Sequence, residues 1–260
     1  MSGGSGKSVK TAQEYLKQAA KLEKQGLVQE SIGELEKAVK SVTDKSPVYK
    51  ELARLYRDQH LADKAISVIR KAIRLAPDDT QAREKLAEIL LEISRYDDAI
   101  QECKELIRIS PRSLSGREIL SMAYLQRGMI DKALQVTNEL IKLDPTSPTN
   151  HFRKACFYQQ KGDVGSAIHE FARVLEMQPD SEMAKDAQQT IETLDSHQLR
   201  HIVMLAVEDY IFRAKLIQDP ETAALERGYF LSFAGMNALK QIEFEDLPEI
   251  YAEWKQKYYH

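Results

Sequence analysis

The chain has 260 residues, 43% of them hydrophobic and 30% charged, with a formal net charge of −3. That is enough apolar material for one extended array or two domains. It excludes the basic footprint of a nucleic-acid binder, and no apolar run reaches the roughly 18 residues that span a bilayer.

The two cysteines, Cys103 and Cys156, are too few and too scattered for a disulfide framework or a zinc site. A reducing cytoplasm is the expected location, with no cofactor and no metal. Residues 196–260 hold seven basic and ten acidic side chains, so the remaining 30 of each sign balance over 1–195.

The first eleven residues read as a disordered Gly/Ser leader. Gly6-Lys7-Ser8 looks like the end of a phosphate-binding loop. That motif needs a glycine five residues before Gly6, where Met1 stands, and a strand ahead of it. No nucleotide site is expected there.

From residue 12 the chain repeats. Pro77, Pro111, Pro145 and Pro179 each stand 34 residues after the last. Ala19, Ala53, Ala87, Ser121 and Ala155 keep the same period, as do Ser31, Ala65, Ala99, Ala133 and Ala167. Leu22, Tyr56, Leu90, Tyr124 and Tyr158 form a large apolar column, and Gly26, His60, Ser94, Gly128 and Gly162 a turn column. Each column has a task. Small residues let two helices approach closely. Glycine suits the positive φ that often ends a helix. Proline cannot continue one. A lone helix pair cannot bury its own apolar face, so the pairs must stack.

These columns resemble the tetratricopeptide repeat family. Its offsets read Tyr49, Leu52, Ala53, Tyr56, His60, Ala65, Ile69, Ala72 and Pro77 in the second repeat. In the fifth they read His151, Lys154, Ala155, Tyr158, Gly162, Ala167, Phe171, Val174 and Pro179. Repeats are placed at 12–45, 46–79, 80–113, 114–147 and 148–181, with a capping helix over 183–194. The first departs most, with Gln18 at a leucine column and Thr43 in place of proline. The resemblance implies an all-α, right-handed α-solenoid of about five helix pairs, whose first helices line a concave wall.

The resemblance also implies which residues face that wall. They are Lys50, Arg54 and Arg57, then Glu84 and Glu88, then Met122 and Leu125, then Phe152, Cys156 and Gln159. The wall grades from basic through acidic to apolar. Glu84, Glu88 and Glu92 recur every four residues and repel one another. Arg54 and Arg57 are placed to offset that, or to meet a partner's charges. Family members that grip a chaperone's terminal carboxylate carry Lys and Asn at inward positions of their first repeat. Here Leu16 and Ala20 stand there, and Glu84 and Glu88 replace the cations of the third repeat, so that clamp is absent.

Past Asp195 the columns stop, and 196–260 reads as a small C-terminal helical domain. A helix is expected over 197–218. Asp219-Pro220 opens another that Gly228 ends, and Ser232 caps a third through Ile242. Leu247, Tyr251, Trp254 and Tyr258 make an apolar stripe, giving a helix over 246–260 that packs as core or docks in a groove. His197 and His201 have the four-residue spacing of a zinc pair, but Gln198 stands where a metalloprotease needs Glu. No catalytic constellation appears, so no enzyme is expected. The reading is an adaptor or scaffold that holds a peptide or helix of another protein, without nucleic acid or membrane insertion. Two alternatives remain: an assembly or secretion chaperone, and an autoinhibited regulator whose 246–260 helix occupies its own groove.

Overall fold

A computed structural model describes residues 10–247 and gives fourteen helices and no strand among them. Gly6-Lys7-Ser8 and most of the expected 246–260 helix lie outside the described residues.

The fold is all-α, with five successive helix pairs. The pairs are α1 (Ala12–Lys24) with α2 (Val28–Ser41), α3 (Ser46–Asp58) with α4 (Ala62–Leu75), and α5 (Thr80–Glu92) with α6 (Tyr96–Ile109). They continue with α7 (Leu114–Gln126) and α8 (Ile130–Leu143), then α9 (Pro148–Lys161) and α10 (Val164–Met177). The chain divides within α8 into two compact units, one through Glu139 and one from Leu140.

The sequence columns explain the pairs. The small residues at 19, 53, 87, 121 and 155 are all buried, as are those at 31, 65, 99, 133 and 167. In the first pair the two columns touch: Ser31 Oγ donates to the carbonyl of Ala19 at 3.0 Å. Each second helix of the proline-marked repeats ends two residues before its proline, because the residue before proline is pushed out of the α region.

The turn column behaves alike in all five pairs. Gly26, Gly128 and Gly162 have positive φ, and so do His60 (58°) and Ser94 (61°). The following residue then donates back to the large apolar column, as in Leu61 N to Tyr56 O at 2.8 Å and Arg95 N to Leu90 O at 2.8 Å. These bonds satisfy carbonyls that the helix end would leave open. A side chain at left-handed φ is strained, so His60 and Ser94 sit there at a cost of about 1–2 kcal/mol each.

In the second unit, α11 runs unbroken from Glu182 to Glu208. The expected capping helix over 183–194 and the expected helix from 197 are therefore parts of one element, and the boundary expected near 195 lies inside it. Nothing in that span breaks a helix: it holds neither glycine nor proline. The first half of α11 gives Ala187 and Ile191 to a core built on Phe171 and Val174. Its second half gives Ile202 and Ala206 to another built on Phe212, Leu216 and Leu239.

The break comes at Asp209, whose carboxylate accepts the Ile211 and Phe212 N–H groups at 3.0 Å each and so opens α12 (Tyr210–Gln218). Those hydrogen bonds, the one from Phe212 foremost, hold the Asp209 carboxyl below its usual range. Asp219 caps α13 (Pro220–Glu226), and Ser232 caps α14 (Phe233–Lys240) by accepting from Gly235 N at 3.1 Å. No described helix is long and apolar enough to cross a membrane.

Candidate functional site

In the first unit the basic residues expected either to offset the acidic stripe or to meet a partner's charges meet acids of this chain. Lys50 Nζ donates to Asp79 at 2.8 Å and to Gln81 at 3.2 Å, joining the second repeat to the start of the third. Burial alone would raise the Asp79 carboxyl, but the bond from Lys50 and the N–H of Ala82 outweigh it and hold the group low. Arg54 lies between Glu51 and Glu23, each at 2.6 Å, with Asp58 at 2.8 Å. Arg57 reaches Glu88 at 2.8 Å and Glu92 at 3.5 Å.

The acidic stripe is therefore relieved by Arg57, and Arg54 turns to the repeat before it. Glu84, half-buried, has no ion pair among the described residues. Met122 and Leu125 are half-buried on α7, the first helix of the fourth pair.

In the second unit Phe152 and Cys156 both pack against the core around Phe171. The Phe152 ring meets that of Phe171 edge-on, with centroids 5.4 Å apart and planes at 72°. Gln159 is exposed. Burial pushes the Cys156 thiol up, and pushes Cys103 up to about 12, so neither is a thiolate at neutral pH.

Sequence reading missed one cluster. His151 and Lys154 replace apolar residues of the repeat pattern, and both turn to Glu170 of α10. His151 Nδ1 and Lys154 Nζ each lie 2.7 Å from its carboxylate, and Glu170 and His151 are buried. Burial would raise the Glu170 carboxyl, but the hydrogen bonds from Lys154 and His151 outweigh it and lower the pKa. A buried charge needs such partners. The signal lay in the polar residues at columns 151 and 154 and in Arg83 and Glu102, which stand at the columns of His151 and Glu170 in the third repeat and pair at 3.0 Å.

A second feature was also missed. A cleft of about 970 Å³ opens in the second unit between α10, α13, and the loop leading into α14. At its mouth Phe233 is 85% exposed, Leu225 47% and Phe230 46%. The loop is firmly tied. Gln198 donates to the carbonyl of Phe230 at 2.7 Å and accepts its N–H at 2.8 Å. Asp195 accepts both the N–H and the hydroxyl of Ser232.

Two glycines make room for this arrangement. A Cβ on Gly165 would come within 2.8 Å of the Phe230 ring, and one on Gly235 would meet the Asp195 carboxylate. No nearest-neighbour pattern in the sequence joins residues 165 and 230.

His197 and His201 stack with ring centroids 4.4 Å apart on an exposed face of α11. No group of three or more potential metal ligands is found among the described residues.

Three tetratricopeptide repeat models match the chain, over residues 50–114, 119–147 and 149–181. Among solved structures it is similar to MamA (residues 41 to the end) from Desulfovibrio magneticus RS-1. The two are 18% identical, with 66% of this chain and 97% of that one covered at a TM-score of 0.59. YrrB, described as a tetratricopeptide protein with an unusual peptide-binding site, is 18% identical over 68% of this chain and 91% of its own, with a TM-score of 0.56. A thermophilic tetratricopeptide protein from Thermus thermophilus, TTC0263, is 19% identical over 68% and 97%, with a TM-score of 0.51. No curated protein matches.

Proposed function

The helix pairs between residues 50 and 181 belong to the tetratricopeptide repeat family, and on that premise we propose that the chain is a scaffold holding a peptide or helix of another protein. In the first unit the seat is the face of the first helices that carries the half-buried Lys50, Arg54, Arg57, Glu84, Glu88, Met122 and Leu125. In the second it is the α9 face of Phe152, Cys156 and Gln159. The peptide-binding site named for YrrB supports this general use of the fold.

The observation that carries the reading is the state of the α5 and α7 faces. Lys50, Arg54 and Arg57 are already paired, so they supply rigidity and register rather than free charge. Glu84 has no such pair among the described residues, and Met122 and Leu125 are only half-buried. An acidic group with two flexible apolar side chains suits a segment with aliphatic anchors and a basic residue.

The test is affinity capture with the wild-type chain beside a Glu84→Lys, Met122→Asp, Leu125→Asp variant, followed by calorimetric titration of the captured segment. The expected result is capture by the wild type and at least about a hundredfold weaker binding by a folded variant. Equal binding by both removes this face from the function.

A further inference from the structure

We infer that the cleft between α10, α13 and α14 is the seat of residues 248–260 of the same chain. This does not rest on the first-helix faces proposed above.

The cleft is built to receive something apolar. Phe230 lies in a loop whose backbone is fixed at Phe230 by Gln198 and at Ser232 by Asp195, and Phe233 opens α14 directly after it. Their rings lose little ordering entropy on contact. Behind them Ile168, Leu231 and Met236 line an apolar wall. Such a surface in water marks a docking site.

The described residues end at Leu247, on the core of this unit. Leu247 packs against the core cluster together with Leu231 and Met236, and those two also line the cleft. Thirteen residues follow it, from Pro248 to His260. Fully extended, a segment of that length spans about 40 Å.

Their chemistry fits. Tyr251, Trp254 and Tyr258 continue the sequence spacing that begins at Leu247 and give the segment three aromatic side chains. Glu249, Glu253, Lys255 and Lys257 give it both signs of charge. The rim of the cleft likewise carries both signs, in the pair of Lys240 with Glu221 at 3.2 Å. A tether this short sets an effective concentration in the millimolar range, so the chain's own segment outcompetes that of a second copy at micromolar protein.

Trp254 is the sole tryptophan and reports directly. Emission and acrylamide quenching are measured on the full chain, on Phe233→Asp and on Leu225→Asp. Both substitutions fall on exposed positions, so circular dichroism melts should match the wild type. The expected result is a protected, blue-shifted Trp254 in the wild type at every concentration from about 0.1 to 100 μM, a range that lies below the effective concentration of the tether. Quenching should rise severalfold in both variants. Full accessibility in the wild type, or protection that survives both variants, overturns the inference. Protection that disappears on dilution also overturns it, by assigning the cleft to the segment of a second copy.

Discussion

In the first unit the cations of α3 meet carboxylates near the surface; in the second, Glu170 meets His151 and Lys154 beneath it. Arg57 and Glu88 keep 35% and 37% of their side-chain exposure, whereas His151 and Glu170 keep 11% and 9%. The two arrangements use the same chemistry at similar distances and differ in how far water screens them. Exposed pairs contribute at most about 1 kcal/mol each and weaken with salt. A buried cluster contributes little net, since desolvation offsets attraction, but removing one member strands the others. The first kind sets register between repeats at little risk. The second commits one repeat to three residues at once.

The sharpest way to break this contrast is Glu170→Ala, which leaves the buried His151 ring and the half-buried Lys154 ammonium without the carboxylate that both face. Its expected cost is about 3–5 kcal/mol, read by chemical denaturation. The carboxyl of Glu170 is lowered in the folded state from its ordinary value of 4.5. The stability it contributes is therefore present above that value and lost as pH falls through the lowered one. The gap in melting temperature between wild type and Glu170→Gln should narrow on acidification below about pH 4. A gap that stays constant or widens there would assign the acid sensitivity elsewhere.

Next in size is the tied loop. Gly235→Ala drives a methyl group into the Asp195 carboxylate, and Gly165→Ala pushes on Phe230. Each is expected to cost about 1–3 kcal/mol, with the former also loosening Ser232 in hydrogen exchange. Unchanged protection at Ser232 would mean that Asp195 does not hold the loop.

Third come the strained turns. Ser94→Gly and His60→Gly relieve left-handed φ and should each stabilise the chain by about 1 kcal/mol in thermal melts. Loss of stability in both would contradict the turn geometry. Smallest is Arg57→Ala, expected to cost under about 1 kcal/mol and less still at high salt. A cost near that of Glu170→Ala would erase the contrast between the two regions.

The repeats were legible because each column states one constraint several times. The positive φ of His60 could be expected from Gly26, Gly128 and Gly162, although histidine alone would not show it. The burial of Ser31 and Ser121 followed in the same way from the alanines of their columns. Caps read from single residues also held, as at Asp219 and Ser232.

What was illegible is stated only once in the chain. Glu170 pairs with residues 19 and 16 positions away; the third repeat joins the same two columns through Arg83 and Glu102 at 3.0 Å, but with other residue types and no counterpart to Lys154, so the three-residue cluster is written once. The continuity of α11 depends on two separate cores accepting one helix, and the end of the repeat pattern at 195 carries no such information. The cleft needs Gly165, Asp195, Gln198 and Phe230 together, and no period links them. The charged residues of α3 were found by pattern, but pattern could not show that their charges were already answered by this chain.

The most direct measurement is photo-crosslinking from one face at a time. A photoreactive residue replaces Leu125 on α7 or, as a control, the exposed Leu75 on α4, and each protein is irradiated with its captured partner. Crosslinks from position 125 and none from 75 are expected if the first helices hold the partner. Crosslinks from 75 with none from 125 would contradict it.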